Sequence, residues 1–338
     1  MIKGFSFKWL VTIAIIAVCS ALAQAQANRT WVASTGNDAN TATNCGQAAP
    51  CRTFAAAFTV TNTKGEIDVI DGAEYCAQGT PLAITKSVTI DGAGVGLCSA
   101  PSTATNAVDI SGIGINGSVV LRNLSFNGFH QSGLPDPPAH GVNFTGTGHL
   151  VVENSRFSNF SGGGVFVNAS GGVAPGPGQS PAALIHIRGC FFEAIERWGI
   201  IVTSTGPGLV FFDVDSSHVS SCGVFGTGVG IDAQDRAQGM ISNTVIEGNL
   251  GDGVLTEPST GTTIVNMESC VVVHNNRGVD ARSIGGSSTI RISNTDIFEN
   301  SSTGIDYTGG NFITSFGNNR IAGNGAGNGP PTNTLPQQ

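Results

Sequence analysis

From Val120 onward the chain repeats one unit. It reads apolar, any, apolar, any, then Asn or Ser, two further residues, an apolar residue, a short polar turn, and Gly followed by Val or Ile. The anchors Asn123, Asn154, Gly189, Ser216, Asn243, Ser269, Asn294 and Asn318 are spaced 31, 35, 27, 27, 26, 25 and 24 residues apart. The terminal pair recurs as Gly164-Val165, Gly199-Ile200, Gly253-Val254, Gly278-Val279 and Gly304-Ile305. A unit this short holds two or three alternating strands and cannot bury its own apolar face, so successive units must stack. Stacking at the inter-strand spacing of about 4.8 Å makes the chain an all-β solenoid with like residues in ladders.

Two ladders are readable. The apolar column Phe126, Phe157, Phe192, Val219, Ile246, Val272, Ile297, Ile321 is expected to run up the interior. A second column, Phe129, Phe160, Ile195, Cys222, becomes Asn249, Asn275, Asn300, Asn324, which predicts an Asn ladder with each amide bonded to the next coil. The 48 glycines and 26 asparagines are then the turns of about eight or nine coils.

The ends differ in character. Residues 1–27 read as a secretory signal peptide: Lys3 and Lys8, an apolar run over 9–18, then small residues with cleavage after Ala25 or Ala27. The run is too short to span a bilayer comfortably, so no membrane span is expected in the mature chain, which would be secreted or periplasmic. Removing it leaves 13 basic against 23 acidic residues and no basic stripe, which argues against a nucleic-acid partner. In an oxidising compartment the spacing predicts disulfides Cys45–Cys51 and Cys76–Cys98. Cys190, Cys222 and Cys270 read as small buried hydrophobes. Residues 28–64 form an expected N-terminal cap whose helix, over 52–60, covers the open end of the solenoid. Glu66-Ile-Asp-Val-Ile is expected to be the first strand, the β-helix to run over 65–324, and residues 325–338 to be a flexible tail.

Several segments carry a resemblance: Trp31-Val-Ala-Ser-Thr-Gly-Asn-Asp, Pro50-Cys-Arg-Thr-Phe, Gly65-Glu-Ile-Asp-Val, residues 72–75, and Ile84-Thr-Lys-Ser-Val-Thr-Ile-Asp-Gly. Together with the repeat they resemble secreted proteins of the pectate lyase-like superfamily. That resemblance implies a right-handed, single-stranded parallel β-helix with a short N-terminal capping helix. The superfamily contains polysaccharide lyases, glycoside hydrolases, esterases, tailspikes, adhesins and proteins without known activity, so the fold does not choose the chemistry. The Arg-x-Pro-x-x-Arg segment of pectate lyases and the Gly-His-Gly and Arg-Ile-Lys motifs of polygalacturonases have no match.

Candidate chemistry follows from what stacking places together. After the Gly-Val/Ile pair, Asp280 and Asp306 occupy equivalent outward positions on adjacent coils, where paired carboxyls could act as acid and base; they are the candidate catalytic residues. Glu257 and Arg282 lie one step further along, and Asp232 joins one column or the other. Together with Arg197 and Trp198, which could pair with and stack on a sugar, these form the candidate substrate-binding set. The alternative for this patch is a solvated strand face with an exposed Glu257–Arg282 pair. No dedicated metal centre is expected, although Asp213, Asp215, Asp232 and Asp235 could supply Ca²⁺ ligands if the chain were a lyase. His130, His140, His149, His186, His218 and His274 are scattered and read as surface or turn residues. Two functional classes remain. One is a secreted, carbohydrate-interacting β-helix, non-catalytic and binding polysaccharide or surface glycan. The other is a lyase or glycoside hydrolase acting on an acidic polysaccharide. Whether the Asp280–Asp306 column lines a groove or a flat face separates the candidate site from the solvated face.

Overall fold

The computed structural model describes residues 26–76, 80–100, 105–129, 139–172, 181–223 and 228–336. The expected signal peptide up to residue 25, and most of the Pro- and Gly-rich insertions within 131–140 and 171–181, lie outside them. Among the described residues the strands pair in parallel, into one 20-stranded and one 9-stranded sheet. Each regular coil contributes a strand to the smaller sheet and two to the larger. Gly163–Ala169, Ala183–Arg188 and Phe191–Glu193 are one such coil. About nine coils stack into a right-handed parallel β-helix, as expected.

The anchor residues turn the chain between the two strands of the larger sheet. Asn123, Asn154, Gly189, Ser216, Asn243, Ser269 and Asn294 all have φ between 46° and 62°, the left-handed region that glycine and asparagine enter most readily. Asn318 departs from this pattern; its neighbour Gly317 takes the positive φ, 82°.

The apolar column is in register from Phe126 to Ile321. Phe126, Phe157 and Phe192 stack with centroids 4.5 and 4.8 Å apart. The Asn ladder is also present. The backbone N–H of Asn249, Asn275 and Asn300 each donates to the side-chain oxygen of the next Asn, at 3.1, 3.0 and 3.0 Å. Phe129 is not a member of this column: it is a left-handed turn residue at φ 52°, as Asn159 is at φ 58°, and its ring is exposed. The column counted from it therefore begins at Phe160.

At the N-terminus, the helix Phe54–Val60 is capped by Thr53, whose hydroxyl accepts from the Ala56 N–H, and it buries Phe54, Ala57 and Val60 against the first coils. Both predicted disulfides are formed, with Cα atoms 5.0 and 4.8 Å apart. Cys190, Cys222 and Cys270 are buried free thiols, and burial pushes their pKa values up to about 12, 12 and 11.

Both ends extend beyond the expected boundaries. The first strand is Ala27–Val32, which pairs with Thr61–Val69, so the sheet begins before Glu66. Residues 325–336 are held: Gly325 and Ala326 donate to Asn300 and Ser302, Thr332 donates to Ile313, and Asn333–Thr334 pairs with Phe312–Ser315. Backbone groups on the last coil need partners, and this segment supplies them. Among the described residues no helix is long and apolar enough to cross a membrane.

Candidate functional site

The outer face of the 9-stranded sheet carries a cleft lined by residues between Trp198 and Arg282. Pairing places Ile201, Asp232, Leu255, Asp280 and Asp306 in one outward column on five successive coils. Asp280 and Asp306 are therefore neighbours, as expected, and Asp232 belongs to their column with Leu255 between. Outward residues of a solenoid are ordinarily solvated, yet Asp232 and Asp280 are each 1 % exposed. The neighbouring columns overhang them. Trp198, Val229, Asp252 and Arg277 stand on one side, and Gln234, Glu257 and Arg282 on the other. A cleft of about 310 Å³ runs between these walls, along the solenoid axis.

The alternative of a solvated strand face is overturned by this burial. Asp252, absent from the sequence-based set, is the hub: its side chain is 2 % exposed and accepts from Arg277 Nε at 2.6 Å and Arg282 Nη2 at 2.5 Å. Arg282 Nε also lies 3.1 Å from Asp280 and 3.7 Å from Glu257, and Arg277 reaches Asp280 at 3.3 Å and Asp306 at 3.5 Å. The contacts to Asp280 have ion-pair distance without hydrogen-bond alignment, so both its oxygens lack a hydrogen bond. Asp232 accepts from Gln234 at 2.8 Å through one oxygen; its other oxygen is buried without a partner.

Two of these acids are held close to neutral. Burial pushes Asp280 up to about 7; Asp252 and Asp306 add to the shift while Arg282 and Arg277 oppose it. Burial likewise pushes Asp232 up to about 7, against the Gln234 hydrogen bond and with the help of Glu257. Between the ordinary 3.8 and about 7, the unfolded chain has released protons that the fold retains. These two acids therefore lower stability as pH rises through that window and level off above it, while buried His140, lowered from 6.5 to about 4, opposes them between those values, so the net fall is the excess of two groups over one. Asp215, held below its ordinary value by hydrogen bonds from Asn243 and Ser242, acts only at lower pH. Denaturant unfolding across the window, with Asp232→Asn alongside, checks this: the variant should show a shallower slope, and an unchanged slope would show that Asp232 does not titrate there.

The structure sorts the sequence-based residues. Asp232, Glu257, Arg282 and Trp198 line the cleft. Asp280 lies beneath the guanidiniums of Arg277 and Arg282, with Asp306 beside it. Arg197 is exposed and does not line the cleft; its guanidinium lies over the Trp198 ring, 5.8 Å from the ring centre. Asp252 and Arg277 were legible in principle, because they directly precede Gly253-Val254 and Gly278-Val279 and so share a column. His140 is buried, not a surface residue: its ring stacks on Phe166 at 4.6 Å, Nδ1 accepts from the Gly163 N–H at 2.8 Å, and burial lowers its pKa to about 4.

The calcium set is not assembled. Asp213 and Asp215 lie on the larger sheet, and Asp235 accepts from the backbone of Ser259 and Thr260 at 2.6 and 2.7 Å, away from Asp232. Glu66, Asp68 and Asp91 offer oxygens within 4.8 Å of one another, but Arg29 pairs with Asp68, and Arg122 with Glu66 and Asp91. Two guanidiniums thus already pair with all three acids.

A groove on the flank of a parallel solenoid is what fold and site define, and the comparisons give that class its family. Residues 111–324 match the family described as right handed beta helix region, and the chain belongs to it. No curated protein matches the sequence. Similar solved structures include that of XylC in complex with xylose, at 10 % identity and TM-score 0.62 over 91 % of this chain and 72 % of that one. The GH136 lacto-N-biosidase from Eubacterium ramulus is 12 % identical, with TM-score 0.55 over 91 % and 67 %. Pectate lyase Pel9A is 15 % identical, with TM-score 0.51 over 89 % and 74 %. At such identities the likeness is one of fold.

Proposed function

We propose that this chain is an exported carbohydrate-interacting β-helix that holds a glycan chain in the cleft of the smaller sheet. The observation that carries the reading is the groove itself: it is open along the solenoid axis, has an indole on one wall, and is rimmed by carboxylate, guanidinium and amide groups. Planar polar groups suit paired sugar hydroxyls, and an aromatic face suits the apolar face of a pyranose. The names of the three similar structures, which refer to pectate, xylose and a lacto-N-biosidase, support the same class of ligand. Export is supported by the two disulfides and the apolar N-terminal segment. Cleavage after Ala25 would leave the strand Ala27–Val32 whole. Trp198→Ala should weaken glycan binding about ten-fold, equivalent to about 1.4 kcal/mol, in calorimetric titration or on a glycan array. Retention of full affinity would remove the cleft from the reading.

A second reading, cleavage of the bound chain, is favoured by one observation. Acid–base cleavage of a glycosidic bond needs one protonated and one ionised carboxyl. Asp232, near neutral, and Glu257 both face the cleft, while Asp280 and Asp306 form a second pair beneath the arginines. Reducing-end release from a glycan panel tests it. Asp232→Asn and Asp280→Asn should each lower turnover by about 100-fold or more if that residue is the acid. Absence of turnover by the wild type would leave the binding module as the function.

A further inference from the structure

The charges of the cleft are already spent on one another, and this bears on the sugar it accepts. Asp252 takes Nε of Arg277 and Nη2 of Arg282, Asp280 lies 3.3 and 3.1 Å from their Nε atoms, Glu257 lies 3.7 Å from Nε of Arg282, and Asp306 lies 3.5 Å from Nη1 of Arg277. Five carboxyl groups, Asp232 included, thus surround two guanidiniums. A sugar carboxylate entering here would find each guanidinium already shared among several carboxyls and would face a surplus of like groups in a partly desolvated space, where repulsion is strongest. An ammonium fares little better, because four of the five carboxyls already face a guanidinium. Of the buried polar atoms here that lack a hydrogen bond, those of Asp280 and Arg282 belong to an ion pair at 3.1 Å, which leaves the buried Oδ1 of Asp232. A sugar hydroxyl can satisfy it as donor or acceptor, whichever protonation state the carboxyl holds.

We infer that the cleft takes uncharged, hydroxyl-rich sugar residues and discriminates against uronates. The inference rests on the carbohydrate reading and narrows it, in the opposite direction from the acidic polysaccharide of the alternative class expected from the sequence. Size agrees: about 310 Å³ is room for one or two sugar rings against Trp198, with the rest of a chain extending along the open axis.

Calorimetric titration with neutral xylo- and galacto-oligosaccharides, set against oligogalacturonates of equal length in low salt, tests the inference. At least one neutral series should bind about ten-fold or more tightly than the uronates. Neutral binding should also be insensitive to added sodium chloride, since no ion pair to the ligand forms. Glu257→Gln, a change at the 29 % exposed rim that spares the buried hub, should narrow the preference by improving uronate binding several-fold. Asp252→Asn, which frees both guanidiniums, should narrow it further, and Glu257→Gln carries the test alone if that variant does not fold. Uronates binding as tightly as neutral sugars, with loss on Trp198→Ala, would overturn this inference and leave the carbohydrate reading intact. Binding of no glycan of either kind would overturn both.

Discussion

Phe157→Ala is expected to lower the free energy of unfolding by about 3–5 kcal/mol, the cost of truncating a fully packed aromatic residue. The ring is completely buried and lies nearly parallel to its neighbours, at 7° to Phe126 and 4° to Phe192. Gly141 packs against its edge: a Cβ there would sit 2.6 Å from Phe157 Cδ1. The space vacated cannot close easily, because the coils above and below are held at their spacing by ladder hydrogen bonds on both sheets. Phe157→Leu should cost less than half as much, since volume is largely retained. Denaturant unfolding of the three proteins measures this. A loss below about 1 kcal/mol for the Ala variant would show that the stack is not a main support of these coils.

Asp252→Ala should have a comparable effect, again about 3–5 kcal/mol, for an electrostatic reason. Its carboxylate is the hydrogen-bonded partner of both Arg277 and Arg282, whose side chains are only 28 % and 30 % exposed. Removing it leaves two guanidiniums partly out of water, with Asp280 alone below them and Glu257 and Asp306 at the rim. Removing one partner of a buried pair costs far more than the pair contributes, because the remaining charge has lost its solvation and gains nothing in return. The variant has a second signature. Asp252 is the charged neighbour that pushes Asp280 up most, after burial itself, so Asp280 should titrate lower in Asp252→Ala than in the wild type. Carbon NMR of labelled aspartate measures that shift independently of stability. A small stability loss with an unmoved Asp280 titration would mean that the arginines have found other partners.

The solenoid was legible because its information is periodic. A repeat of 24 to 35 residues aligns Phe126 with Phe157 and Asn275 with Asn300 wherever the coils lie in space, so core column, Asn ladder and turns could be counted along the chain. Counting failed where the period is interrupted. Phe129 precedes the insertion in its own unit, and there a one-residue difference in the turn places its ring outside instead of inside. The strand Ala27–Val32 was missed because four of its six residues are not buried; it is half covered at the end of the stack and its pattern does not alternate cleanly.

The candidate site was legible only as far as its columns. Adjacency of Asp280 to Asp306, and of Glu257 to Arg282, follows from register, and register follows from the repeat. Whether that face is flat or hollow depends on how far the flanking side chains of Trp198, Asp252, Arg277 and Arg282 lean over the central column. One-dimensional spacing contains no term for that. The same ignorance hid Asp252, whose position before the Gly-Val pair gives no hint that two guanidiniums from later coils converge on it.

By itself, then, the sequence determined that this chain winds into a stacked β-helix, which residues fill its interior, and which acids share a column, since each is a matter of period and alternation. Only the tertiary structure decided that the column forms the floor of a cleft, that Asp232 and Asp280 are buried deeply enough to titrate near neutrality, and that Arg277 and Arg282 are already paired. Those properties depend on desolvation and on distances across coils, which arise when the walls close over the floor.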